Sequence, residues 1–377
     1  MKFFKDYIYP IAIFSGSIIG VGYLALPYLT LKVGIIPMLF HFVALTALVV
    51  YLHVIFSEIS LKTPDFKRFP GFVGFHLGKG AKTVALFLII FGNLGILLAY
   101  LIIGSQFLTS IFLPVFGSSL LIYVLIYFFI LSAIIYFDGK TISKIEFWAL
   151  SLLIILLAVV FIKGLFGINP DSIIENLRVV LWSSNVGKAT LFLPFGPIIF
   201  SLWGTGLIPE IEEMLRGRKS LLKKVIIWGT IIPAVFYLLF IFLILGISGV
   251  HTTDSALIGL KNFLGPNIVS IALFIGFITT FTAFITQGLF LKKVFMYDMG
   301  VKHLPAWLLT CLTPLILFLL GFNSFIPIIS FIGGVLLGID GILILLMYRK
   351  IGGKSIIIYP LTLMFVLGII YQLFIFK

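Results

Sequence analysis

The chain has 377 residues, 61% of them hydrophobic and only 10% charged, against roughly a quarter charged in soluble domains. Its formal charge of +13 would suit nucleic acid if it were gathered on one polar domain, but the basic residues stand in short clusters between apolar runs. Composition therefore excludes a soluble globular or nucleic-acid-binding protein. The recurrent apolar runs of about twenty residues fit membrane-crossing helices and not the roughly ten-residue alternation of a β-barrel.

Charged, proline and glycine breaks divide the sequence into about eleven predicted spans, near 8–31, 34–60, 82–112, 118–137, 144–165, 190–208, 225–247, 266–290, 305–322, 324–347 and 356–376. The first is too long and proline-interrupted for a cleaved signal, so it is read as retained. With the N-terminus inside, only Lys32, Lys163, Arg178, Lys188, Lys261 and Lys377 of the 26 basic residues fall outside. That bias follows the positive-inside rule and puts the C-terminus outside a multi-pass cytoplasmic membrane protein. The inner loop Leu61–Lys82 is too rich in glycine and proline to span and is read as carrying a short interfacial helix. Two outer segments, Asp171–Leu181 and Thr253–Leu264, have helical periodicity and are expected to lie across the outer face. Cys311 is the single cysteine, which excludes an intrachain disulfide or a cysteine-based metal cluster.

Chemistry enters at two interruptions. Span 1 holds Ser15-Gly16-Ser17-Ile18-Ile19-Gly20-Val21-Gly22-Tyr23-Leu24-Ala25-Leu26-Pro27, and span 6 holds Phe200-Ser201-Leu202-Trp203-Gly204-Thr205-Gly206-Leu207-Ile208-Pro209-Glu210. Each has two glycines two residues apart followed by proline. A broken helix at mid-membrane depth is tolerated only where its freed N–H and C=O groups face protein or a polar cavity, so each break marks either a ligand site or a small-residue packing seam. The interruption recurs five spans later. Five is odd, so a second copy of spans 1–5 in spans 6–10 inserts upside down and brings the two breaks together. The predicted organisation is a first repeat over residues 1–165, an outer connection over 166–189, a second repeat over 190–347, and one extra helix over 348–377.

The span 1 string, Ser57-Glu58 with Pro64 and Gly71 after span 2, and Trp203-Gly204 through Pro209-Glu210 with the tail Glu212-Glu213-Met214-Leu215-Arg216 resemble the amino acid/polyamine/organocation superfamily. The eleven spans resemble its amino acid/auxin permease and aromatic amino acid permease branches. The resemblance covers essentially the whole chain and implies an all-α, LeuT-like 5+5 inverted-repeat fold working by alternating access. It implies further that the amides of Gly20, Val21 and Gly22 hold a substrate carboxylate, in keeping with the free donors and positive dipole of a half-helix start. The ammonium then meets carbonyls of Ser17, Ile18, Phe200 and Leu202. Phe200 falls at the superfamily's gating aromatic, Trp203 is a second aromatic candidate beside Gly204, and Asn93 and Tyr100, seven residues apart on span 3, share a face that can line the site.

The same resemblance suggests a sodium site, with carbonyls of Gly16 and Ile19 and hydroxyls of Thr279 and Thr280, although threonine in an apolar helix also bonds back to its own turn. No other cofactor is expected. Asp340 is the acidic residue deepest in a span and is read either as a proton relay or as a structural hydrogen-bonding group. His41 and His53, on span 2, are read as interfacial. Glu58, Glu146 and the Glu210, Glu212 and Glu213 cluster are read as solvated inner-boundary charges. Metalloprotease, serine-hydrolase and paired-aspartate motifs are absent from the sequence, which argues against an intramembrane enzyme. The function expected is a permease for an amino acid, neutral or aromatic, coupled to Na+ or H+. A substrate-sensing receptor of the same fold and an exchanger or channel for another small solute are the competing readings.

Overall fold

The computed structural model describes residues 7–64, 67–137, 155, 162, 170–181, 191–215, 218–263 and 266–375. Its described part is built from helices. The first span is a pair, α1 (Tyr9–Ile18) and α2 (Leu26–Val33), joined through a 3₁₀ turn at Gly22–Ala25 and bent by 53°. There follow α3 (Ile35–Lys62), α4 (Phe69–Leu77), α5 (Lys79–Phe116), α6 (Leu120–Tyr136) and α7 (Pro170–Val179). The sixth span is again a pair, α8 (Phe195–Leu202) and α9 (Ile208–Met214). After it come α10 (Lys219–Ser248), α11 (Pro266–Lys293), α12 (His303–Leu319), α13 (Phe325–Phe331), α14 (Leu337–Lys350) and α15 (Ser355–Ile370). Among the described residues six helices are long and apolar enough to cross a membrane, seven with the bent pair, while Leu120–Tyr136 and His303–Leu319 are shorter apolar helices. The predicted span 144–165 lies outside the described residues except at Ile155 and Ile162. Glu146 and the lysines at 163 and 188 lie outside them as well.

Two segments form the helices expected of them: the glycine- and proline-rich loop after α3 forms α4, and Asp171–Leu181 forms most of α7; among the described residues Thr253–Leu264 holds a 3₁₀ turn at Ile258–Asn262 instead, where Thr253 Oγ1 accepts the Gly259 N–H at 3.1 Å. Lipid exposure is legible on α15. Ile356, Tyr359, Leu363 and Leu367 point outward bare, while Ile358, Phe365 and Gly368 are buried, the division expected of a helix with one face in hydrocarbon.

The chain divides into two compact units. The first comprises Met1–Ile89, Ser184–Phe240 and Ser330–Lys377; the second comprises Ile90–Ser183 and Ile241–Ile329. Each draws on both halves of the sequence. In the first unit, α8 lies against the junction of α13 and α14 with almost no side chain between them: a Cβ on Gly333 would fall 1.9 Å from the Gly196 carbonyl oxygen, and one on Gly196 would fall 2.3 Å from that of Ser330. A π-helical turn at Ile332–Leu336 brings Gly333 to this crossing. In the second unit, Gly104 leaves room for the Tyr127 ring, and the Tyr127 hydroxyl donates to Thr280 at 3.3 Å. Lys292 is fully buried there and donates to the Ile135 carbonyl at 2.7 Å, at the C-terminal end of α6, where a cation complements the helix dipole.

Candidate functional site

The two breaks lie together in the first unit. The helical ladder of α1 stops at Ile18 because Ile19 leaves helical geometry at φ −74°, ψ 86°. The Gly20 N–H turns back to the Ile18 carbonyl at 2.8 Å, and among the described residues no backbone carbonyl receives the N–H groups of Val21 and Gly22. The ladder of α8 stops at Leu202, with Trp203 extended at φ −74°, ψ 124° and Gly204 at φ −139°, ψ 14°. The next turn begins with Leu207 N–H bonding Gly204 carbonyl at 3.2 Å, so the N–H groups of Thr205 and Gly206 also lack backbone partners among the described residues. Freed donors of this kind are what an anionic group requires.

Each break is fitted to the other by a glycine. A Cβ on Gly22 would stand 2.5 Å from Ser201 Oγ and 2.7 Å from Phe200 Cδ1; a Cβ on Gly204 would stand 2.7 Å from Ile18 Cγ1. The contact is thus reciprocal, the glycine of one span against the side chains just before the break in the other. Of the residues expected at the site, Gly16, Ser17, Ile18, Ile19, Gly20, Val21 and Gly22 lie on the first break and Phe200, Leu202, Trp203 and Gly204 on the second. Ser17 is exposed and donates to Phe14 carbonyl at 2.8 Å, Leu202 is buried, and Phe200 and Trp203 are half-buried. Asn93 and Tyr100 on α5, and Thr279 and Thr280 on α11, belong to the second unit. There the two threonine hydroxyls donate to the carbonyls of Gly276 and Phe277, each at 2.8 Å, the back-bonding weighed from sequence.

Helix α10 supplies a residue that the sequence did not single out. The Tyr237 hydroxyl, fully buried, lies 2.9 Å from the Ile18 carbonyl and 3.1 Å from the Ser201 carbonyl. Its single proton is shared between a carbonyl of each break. The Tyr237 ring stacks on Tyr23 with centroids 5.5 Å apart and planes at 9°, and Phe240 meets Tyr23 edge-on at 4.8 Å. Ser15 donates to Gly229 carbonyl at 3.1 Å, a second tie from the first span to α10. The one signal available was spacing: Thr230 and Tyr237 are seven residues apart and share a helix face.

One expectation is corrected. His53 is not an interfacial side chain but is wholly buried, with its Nδ1 3.0 Å from Thr230 Oγ1 and its Nε2 3.1 Å from the Gly204 N–H. His41 is buried too and bonds the Pro37 carbonyl of its own helix at 2.9 Å. The Ser60 hydroxyl donates to Glu212, so that half-buried carboxylate is tied to α3 and is not simply a solvated charge. Asp340 is 8% exposed, and its Oδ1 has no hydrogen-bond partner among the described residues. Among the described residues no three acidic, histidine or cysteine side chains cluster as a metal site.

Comparison with known proteins follows the same lines. The model of the tryptophan/tyrosine permease family matches residues 5–369, nearly the whole chain. No curated protein sequence matches. Among 121 matching solved chains is MhsT, crystallised in complex with L-phenylalanine, at 15% identity and a TM-score of 0.68 over 97% of both chains. At that identity the likeness establishes the fold. With two apposed helix breaks in an apolar helical chain, this protein is a multi-pass membrane transporter and no enzyme, and it belongs to the tryptophan/tyrosine permease family.

Proposed function

We propose that the chain carries an aromatic amino acid across the cell membrane by alternating access, with the N-terminus inside, the C-terminus outside and two inverted repeats over 1–165 and 190–347. The observation that carries this reading is the pair of amides at Val21 and Gly22 that have no backbone partner among the described residues, set against the Phe200 and Ser201 side chains just before the second break, where the Phe200 carbonyl is left outside the helical ladder. A free amino acid offers a carboxylate to such amides and an ammonium to such carbonyls, and an aromatic side chain suits the rings of Phe200 and Trp203. The family to which the chain belongs, and the phenylalanine in the MhsT complex, support the aromatic class. Uptake against a gradient requires a coupling ion. The orphan Oδ1 of Asp340 supports a proton, and the hydroxyls of Thr279 and Thr280 support Na+ as the second reading.

The test is reconstitution in proteoliposomes with radiolabelled tryptophan, tyrosine, phenylalanine, leucine and lysine, under an imposed pH gradient, a sodium gradient or neither. Saturable uptake of the aromatic three, driven by one gradient, is expected. Equal uptake of lysine, or binding without flux under any gradient, overturns the reading, the latter in favour of a sensor.

A further inference from the structure

The Nε2 atom of His53 faces a backbone N–H, so it must act as an acceptor and carries no proton. The other ring nitrogen then holds the proton and donates to Thr230 Oγ1, whose own proton goes to the Ile226 carbonyl at 2.9 Å. The chain of bonds runs from α8 through α3 to α10 in a single direction and fixes one neutral tautomer. Phe14 and Trp203 close on the ring edge-on, with centroids at 5.7 and 6.1 Å.

The position of that acceptor has a consequence for the break. In an unbroken helix the Gly204 N–H would bond the carbonyl four residues back, which is that of Phe200. His53 takes this N–H instead and leaves the Phe200 carbonyl outside the ladder. A buried N–H without a partner is costly, so a sequence lacking the imidazole would be drawn to close the turn and withdraw the carbonyl. Gly204 also has to stay a glycine, since a Cβ would strike Ile18.

We infer that His53 is a positioning residue for the substrate's ammonium: by holding the Gly204 N–H it keeps the break in α8 open and the Phe200 carbonyl available to a cationic amine. This rests on the reading of the site as one for a free amino acid. His53 touches the backbone of the site and not the ligand, so its effect falls on the amine end alone. The aromatic end and the carboxylate end, held by other groups, should be unaffected.

The experiment compares the wild type with His53→Gln and His53→Phe. Glutamine places an acceptor oxygen where Nε2 stands; phenylalanine keeps the ring and removes the acceptor. Affinities for L-tryptophan and for 3-(indol-3-yl)propanoate, which lacks the amine, are measured by calorimetry on purified protein. The wild type should prefer tryptophan, His53→Phe should lose about tenfold of that preference with the propanoate affinity unchanged, and His53→Gln should restore most of it. A parallel fall for both ligands would overturn the inference, because general loosening of the fold moves both alike. Hydrogen exchange at Gly204 is followed in the same samples and should rise in His53→Phe. If the wild type binds neither ligand, the substrate assignment fails, and unchanged Gly204 exchange in His53→Phe then separately overturns the positioning role. Should His53→Phe not fold, Thr230→Val, which removes the anchor of the imidazole, carries the same comparison in the same direction.

Discussion

Replacing Gly22 with alanine adds one carbon at the most crowded point of the site. That carbon would stand 2.5 Å from Ser201 Oγ and 2.7 Å from Phe200 Cδ1, about an ångström inside a normal contact of roughly 3.5 Å. Ser201 Oγ does not yield freely, since it is bonded to the Pro197 carbonyl at 2.7 Å. The first break must therefore move away from α8 by a good part of that ångström. Overpacking of this kind costs about 1–3 kcal/mol, and the displaced amides of Val21 and Gly22 lose charge-assisted bonds worth about 1.5–3 kcal/mol each when well aligned. A net loss of about 2 kcal/mol in binding is about thirtyfold in Kd. The measurement is calorimetric titration of purified Gly22→Ala with L-tryptophan, beside its thermal unfolding. Ser201→Ala in the same chain removes one of the two obstacles and should recover part of the loss, a coupling that a double-mutant cycle reads directly. Wild-type affinity in Gly22→Ala, with only the unfolding temperature lowered, would show that the apposed breaks are a packing seam and not the binding site.

Four further outcomes are expected. Tyr237→Phe keeps the stack on Tyr23 but leaves the carbonyls of Ile18 and Ser201 without their shared donor, which should lower stability by about 1–3 kcal/mol on thermal unfolding; an unchanged transition would mean that water replaces the hydroxyl. Thr279→Val with Thr280→Val should abolish any sodium stimulation of uptake if those hydroxyls ligate the ion, and intact stimulation would remove them from the coupling site. Asp340→Asn should preserve tryptophan counterflow while uncoupling uptake from a pH gradient, and gradient-driven uptake at the wild-type rate would exclude it as the relay. Lys292→Met should destabilise the protein by stripping the donor from the Ile135 carbonyl, by about 1–3 kcal/mol, with Kd for substrate unchanged; a shift in Kd alone would assign Lys292 a role beyond capping α6.

Both interruptions are legible in one dimension, because glycine and proline leave a mark wherever a helix is meant to fail. Five spans being odd, counting predicts an inverted arrangement and with it a meeting of the two breaks; the meeting itself is what the structure shows, at Gly22 and Gly204. What one dimension does not carry is the identity of the side chains that occupy the freed backbone groups. Tyr237 sits in an apolar run where tyrosine is ordinary, and only the fold brings its hydroxyl to Ile18 and Ser201. His53 misleads in a more instructive way. A lone histidine near the end of a span reads as a polar group seeking the interface, and its burial becomes intelligible only once Gly204 is seen to need an acceptor. Lys292 misleads similarly, since beside Lys293 it reads as one more inner-side charge, whereas the fold turns it inward onto the end of α6.

The bare backbone crossing of Gly196 and Gly333 has a consequence in the gene. Every single-base change in a glycine codon that alters the residue introduces a side chain beginning with a carbon, and at these two positions that first carbon already collides with backbone, which cannot swing aside as a flexible side chain can. Neither position can therefore change by one nucleotide and keep the two spans at their present separation. Drift here requires a paired event: a larger residue on one span together with a displacement of the other. Sequences related to this one should accordingly either hold both glycines or show both spans altered together, with intermediates of a single substitution selected against in any screen for expressed protein.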